Sequence, residues 1–203
     1  MTDAAIIEQE HEVAWTVSDA DLGWLLSYER DRTIIHNVYY DDGTRILDAG
    51  GTFRVRYTLD DFGRRKVPAK VTLKLVKGFA GDVRHAVETT GEFCSPEPPE
   101  RLHSKTPLLP IQCRATLSEL GITVLTRLGM LPCIRRRLRT DHGLLCDLDT
   151  AELPGGTLLH EIEFESDDPA EHELCAEWIR TIARSAQLSR TRKHERFRQA
   201  IRM

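Results

Sequence analysis

The chain has 203 residues, 40% of them hydrophobic and 30% charged, which is enough apolar material for one folded domain, taken as 1–203, and argues against wholesale disorder. Its formal net charge of −4 is the wrong sign for a protein that lives by gripping nucleic-acid phosphates. No apolar run is long enough to span a bilayer, and the acidic N-terminus lacks a signal-peptide core, so a cytoplasmic location without nucleic-acid or membrane partners is expected.

Alternation of apolar and polar residues predicts eight strands, near 5–17, 34–42, 51–60, 67–76, 84–93, 132–141, 143–150 and 156–165. Breakers separate them. Asp41-Asp42-Gly43 and Gly50-Gly51 bracket a loop, while Asp60-Asp61-Phe62-Gly63, Thr140-Asp141-His142-Gly143 and Pro154-Gly155-Gly156 read as hairpin turns. Ser18 and Asp21 form a capping-box-like start to a first helix with Leu22, Leu25 and Leu26 as its stripe. A second helix is expected near 115–129, capped by Thr116 and buried through Leu117, Leu120, Val124, Leu125 and Leu128. Asp168-Pro169 begins a third, with Leu174, Trp178, Ile179 and Ile182 facing inward, and a basic amphipathic tail runs from Lys193 to Arg202. The proline-rich stretch 95–112 reads as a surface excursion. Hairpins and short helical links favour antiparallel pairing.

The five cysteines, Cys94, Cys113, Cys133, Cys146 and Cys175, are odd in number and widely spaced, as expected of buried free thiols. The histidines, His11, His36, His160 and His194 among them, show no metal-ligand spacing and read as structural or exposed.

The charges carry more information. On a strand, residues two apart share a face. Glu8, Glu10 and Glu12 keep one parity on the first strand, as do Arg54 and Arg56 on the third and Lys70, Thr72 and Lys74 on the fourth. Arg84, Glu88 and Glu92 do so on the fifth, and Arg135, Arg137 and Arg139 on the sixth. The seventh carries Asp147 and Asp149, the eighth Glu161, Glu163 and Glu165. The opposite parity is apolar, with Arg136 as the exception. A solvated strand face alternates in the same way. These faces, however, are nearly pure acid on some strands and nearly pure base on others, and like charges so crowded repel unless something of opposite sign lies between them. Eight strands can close into a barrel, apolar side outward under the helices and charged side inward. Its basic walls suit a polyanion and its acidic walls suit divalent cations, the pairing that phosphoryl chemistry requires.

In chain order the motifs resemble those of the CYTH superfamily, the triphosphate tunnel metalloenzymes, which include class IV adenylyl cyclases, thiamine triphosphatases and inorganic tripolyphosphatases. The family's opening Glu-x-Glu-x-Lys is similar to Glu10-His11-Glu12-Val13-Ala14. Asn37-Val38-Tyr39-Tyr40-Asp41, Phe53-Arg54-Val55-Arg56, Thr72-Leu73-Lys74, Arg84 with Glu88, Arg135-Arg136-Arg137, Asp149, and Glu161-Ile162-Glu163 follow, and Arg192-Lys193-His194 resembles the terminal Ser-Lys-Tyr.

The resemblance implies an α+β fold, an eight-stranded antiparallel β-barrel with flanking helices, dependence on Mg²⁺ or Mn²⁺, and a small-molecule triphosphate as substrate. It implies a phosphate clamp of Arg54, Arg56, Lys74, Arg84, Arg135, Arg137 and Lys193, metal ligands Glu10, Glu12, Asp149, Glu161 and Glu163, and catalytic roles for Glu10, Glu12, Arg56 and Lys74. Hydrolysis of the triphosphate is the activity expected. A class IV-type cyclase is the alternative, and a non-catalytic triphosphate-binding module is another, because Ala14 stands where the family has lysine. A homodimer is compatible with all three.

Overall fold

The computed structural model describes residues 6–191 and 193–201; Ala5, Arg192 and Arg202, which the strand and tail patterns include, lie outside them. Among the described residues, ten strands and five helices follow one another. The first half comprises β1 (Ile6–Val17), α1 (Asp19–Leu26), β2 (Glu29–Asp41), α2 (Arg45–Asp48), β3 (Gly51–Thr58), β4 (Ala69–Ala80) and β5 (Val83–Phe93). The second comprises β6 (Arg101–His103), α3 (Ile111–Glu119), β7 (Val124–Arg139), β8 (Leu145–Glu152), β9 (Leu158–Glu165), α4 (Pro169–Ile182), β10 (Gln187–Leu188) and α5 (Lys193–Ile201). The sheet order is β10-β1-β5-β4-β3-β2-β7-β8-β9, and β9 also pairs with β1. Eight strands therefore form a closed circuit of hydrogen-bonded neighbours, the connectivity expected from the alternation. Every pairing whose register is described is antiparallel.

Contacts divide the chain into two units. The first contains residues up to Gln9, Ile35–Gly78 and His85–Leu131. Its core is one face of β3, where Phe53, Val55 and Tyr57 are fully buried, joined by Val38, Tyr40, Val71 and Leu73 from the flanking strands. Leu117 of α3, Leu102 of β6 and Leu125 of β7 cover it, each burial contributing roughly 1.5–3 kcal/mol. The Asp60–Gly63 turn forms as expected, closed by the Gly63 amide donating to the Asp60 carbonyl at 2.9 Å.

Two expectations fail in this unit. The helix predicted over 115–129 is α3, starting earlier behind Pro110 and ending at Glu119, so that Thr116 lies inside it rather than capping it. Gly121, at φ 69°, turns the chain out of the helix. Val124, Leu125 and Leu128 lie on β7 instead, where Leu125 pairs with Leu102 of β6. The supposed surface excursion holds that strand and buries Leu102 and Leu109. The loop between Asp41 and Gly51 contains the short helix α2, whose Ile46 amide donates to the Asp41 carboxylate at 3.2 Å. Gly51 is required by closeness: a Cβ there would lie 2.6 Å from Leu75 Cδ2 and 2.9 Å from the Ile46 carbonyl oxygen.

The second unit contains Glu10–Ile34, Phe79–Arg84 and everything from Pro132 on. Val13, Trp15 and Val17 of β1, Leu138, Leu148, Ile162 and Phe164 form its apolar face, covered by Leu25 of α1 and by Cys175, Trp178 and Ile179 of α4. Tyr28 meets Trp178 edge-on at 5.1 Å. Helix α4 begins as predicted, with Pro169 in its first turn and the Asp168 carboxylate accepting the Ala170 amide at 2.9 Å. Leu174, placed on its buried stripe, is instead exposed and His172 takes that face. Ser18 makes no side-chain cap to α1; the Asp21 carboxylate accepts from the Ser185 amide and hydroxyl instead, tying α1 to the segment after α4. Among the described residues no helix is long and apolar enough to cross a membrane.

Candidate functional site

In the second unit the face of β7, β8, β9 and β1 opposite the core is built in rungs. Arg135 pairs with Asp149, Asp149 with Glu161, and Glu161 with Thr16. One rung along, Arg137 pairs with Asp147, Asp147 with Glu163, and Glu163 with Ala14. Strand alternation thus delivers every charged residue of one parity to a single surface.

The side chains there neutralise one another. Arg135 grips Asp149 with two parallel bonds, Nε to Oδ1 at 2.8 Å and Nη2 to Oδ2 at 2.7 Å. It also reaches Asp147 and Glu163 at 2.8 Å each. Lys193, buried at the start of α5, bonds Asp149 closely and lies 3.0 Å from Glu163 and 3.3 Å from Glu161. Half-exposed Arg137 takes Asp147 at 2.5 Å. Four carboxylates thereby meet three cations. Burial works against charge on Lys193 and Arg135, yet the surrounding carboxylates outweigh it and hold both pKa values well above their ordinary ranges. Burial likewise opposes the charge of Asp149, but Lys193 and Arg135 prevail and keep its pKa below the usual carboxylate range. Glu161 goes the other way. Burial, reinforced by Glu163, Glu12 and Asp149, overcomes Lys193 and pushes its pKa up to about 7. A proton on Glu161 brings the cluster into balance.

Beside this cluster Arg84 is in contact with Glu12, and Glu12 pairs in register with Glu165. Carboxylate oxygens of Glu10, Glu12 and Glu165 lie within 4.8 Å of one another. Hard oxygen donors so grouped fit Mg²⁺ or Mn²⁺. Glu10 and Glu12 are expected metal ligands; Glu165 is not among those expected, although it keeps the parity of Glu161 and Glu163. The other expected ligands, Asp149, Glu161 and Glu163, stand with Lys193 and Arg135 instead. Ala14, at the lysine position, lies on the same face opposite Glu163 and brings no charge.

The remaining expected clamp residues belong to the first unit. Arg54 and Arg56 stand on β3 opposite its core face, Arg54 paired with Thr72 and Tyr39, Arg56 with Lys70 and Asn37. Lys74 pairs with Thr52. Arg56 Nε donates to Asn37 Oδ1 at 3.0 Å, and Lys70 lies 3.4 Å from Glu88. Three of the seven predicted phosphate-binding cations are thus gathered here, and four, Arg84, Arg135, Arg137 and Lys193, in the second unit.

No family model and no curated relative matches the chain. Solved structures do. A Hippeastrum protein assigned as an adenylyl cyclase, HpAC1, with a dominant triphosphatase activity, is 20% identical, covers 94% of this chain and 95% of its own, and superposes with a TM-score of 0.73. A Bacillus halodurans protein assigned as an adenylate cyclase is also 20% identical over 94% of this chain and 98% of that one, with a TM-score of 0.67. A Pyrococcus horikoshii protein is 19% identical, covering 92% and 96%, at 0.54. The chain has the CYTH-type fold. At this identity the likeness is one of fold.

Proposed function

We propose that this protein is a metal-dependent triphosphatase hydrolysing a small-molecule triphosphate: inorganic tripolyphosphate, thiamine triphosphate or a nucleoside triphosphate. The observation that supports it is the gathering of charge on single strand faces. Arg54, Arg56 and Lys74 form a basic strand face in one unit, while carboxylates interleaved with Arg135 and Lys193 form the face in the other. HpAC1, which shares the fold, has a dominant triphosphatase activity.

In this reading arginine forks bind phosphate oxygens in pairs, and Lys74 and Lys193 act as point charges. Glu10, Glu12 and Glu165 would hold Mg²⁺ or Mn²⁺, with Asp149, Glu161 and Glu163 as further carboxylates. The bound metal supplies charge neutralisation and orientation of the phosphate chain. Arg56 and Lys74 stabilise negative charge developing on the terminal phosphoryl group. Glu161, whose pKa lies near neutrality, can hold or release a proton within the cluster. The whole chain, 1–203, acts as one domain in the cytoplasm on a small molecule, with neither nucleic acid nor membrane as partner.

Phosphate release from tripolyphosphate, thiamine triphosphate and ATP, each with Mg²⁺, Mn²⁺ or EDTA, tests the proposal. Release that EDTA abolishes is expected from at least one of them. Cyclic nucleotide with pyrophosphate from ATP would instead identify a cyclase. A second reading, triphosphate binding without turnover, is favoured by Ala14, which leaves β1 without a cation on its charged face. Calorimetric binding with no product from any substrate would establish it.

A further inference from the structure

The reverse side of the three strands that carry the ionic cluster holds a second polar system, which the proposed chemistry does not use. Arg136, the one charge that broke the apolar parity, donates from Nη1 to Thr150 Oγ1 at 3.1 Å. Thr150 Oγ1 lies 3.1 Å from His160 Nδ1, and His160 Nε2 lies 2.6 Å from Asp19 Oδ1 at the start of α1. Arg136 is itself held by Glu29 at 3.2 Å. All five residues belong to the second unit. The His160 side chain is 3% exposed and thus fixed by packing, while its partner Asp19, at 76%, meets solvent.

The chemistry of these groups gives the chain one direction. A guanidinium only donates, so Thr150 accepts from Arg136. Asp19 as a carboxylate only accepts, so His160 Nε2 carries the hydrogen. Nδ1 of a neutral ring is then bare, and the Thr150 hydroxyl donates to it. Three members of this relay are also one residue from a member of the ionic cluster. Arg136 follows Arg135, Thr150 follows Asp149, and His160 precedes Glu161. Thr150 and His160 pair in register directly beside the pair of Asp149 and Glu161.

We propose that His160 is a positioning residue: held as the Nε2–H tautomer, it locks Thr150 and Arg136, and through these three backbone positions it sets where Asp149, Glu161 and Arg135 stand. The kinetic and Mn²⁺-affinity consequences rest on the proposed metal-dependent triphosphatase; the tautomer does not.

The test uses the full chain. In ¹⁵N-histidine spectra, His160 is expected with a protonated Nε2 and a bare Nδ1; a protonated Nδ1 overturns the relay. Two variants then separate its halves. H160N keeps an oxygen acceptor where Nδ1 stood and so keeps Thr150, whereas H160Q keeps only a donor toward Asp19. H160Q and T150V are expected to lower metal-dependent kcat, and Mn²⁺ affinity measured by calorimetry, by about 10-fold, with H160N recovering most of the loss. Equal losses in H160N and H160Q, or none in any variant, overturn the proposal and leave His160 a packing residue. The tautomer needs no turnover, so failure of the triphosphatase reading is distinguishable from failure of this one.

Discussion

Lys193 is the residue on which the ionic cluster turns. It is buried among Asp149, Glu161 and Glu163, and removing one partner from a buried ion group strands the others in low dielectric. Lys193→Met should therefore destabilise the metal-free protein by roughly 3–5 kcal/mol, measured by urea denaturation at pH 8. Glu161 contributes in the opposite sense. Its folded-state pKa of about 7 lies above the unfolded value of 4.5. The folded state keeps a proton that the unfolded state releases, so stability from this group is full below pH 4.5 and is lost as pH rises through 7. Glu161→Gln should remove that dependence and be more stable than the parent at pH 8, by about 3 kcal/mol at most. A wild-type stability curve unchanged by the substitution between pH 5 and 8 would refute it. Among the cysteines, Cys94 alone is exposed, and burial pushes the Cys113 and Cys133 thiols up to about 12. One equivalent of an aqueous thiol reagent should react with the native protein, at Cys94, and the rest only after unfolding.

At the scale of elements, the strands that carry charge were legible because alternation is local: Arg135 and Arg137, Asp147 and Asp149, and Glu161 and Glu163 announce their shared face in sequence. What was not legible required knowledge of partners. Leu117, Leu120, Val124, Leu125 and Leu128 satisfy helical spacing, yet Gly121 divides them and the pairing of Leu125 with Leu102 claims the second half for β7. The partner, β6, is three residues long and too short to show a period. The ion pairs themselves were equally hidden, since parity tells which residues share a face but not that Lys193, from another element, neutralises the carboxylates there. For α4 the start was legible, and its cap is a discrete contribution. Asp168→Ala removes the acceptor for the Ala170 amide and should cost about 1 kcal/mol, read from the denaturant midpoint, with no change in the metal requirement.

At the scale of the whole molecule, the closed pairing circuit was legible as an expectation from eight alternating strands joined by tight turns, and the order β1-β5-β4-β3-β2-β7-β8-β9 with the return to β1 bears it out. The two small cores were not, because both are drawn from several stretches of the chain. A ligand that binds only the folded state raises its stability by mass action. Mg²⁺ or Mn²⁺ at the grouped glutamates should therefore raise the thermal midpoint, and EDTA should reverse the rise. With Asp149, Glu161 and Glu163 as further carboxylates of the metal site, the gain should be larger in Lys193→Met than in the parent, because these carboxylates then lack one of the cations that compete with the metal. Equal shifts in both proteins would place the metal away from Asp149, Glu161 and Glu163.

Lys193 comes later in the chain than every strand whose carboxylates it neutralises. During synthesis β8 and β9 exist first, as a hairpin bearing Asp147, Asp149, Glu161 and Glu163 on one side with only the arginines of β7 to offset them. Until α5 is made, Arg135 and Arg137 alone can neutralise that side, and Glu161 has no cation among its partners there. The contacts of Lys193 with Asp149, Glu161 and Glu163 can therefore form only after both strands that carry those carboxylates exist.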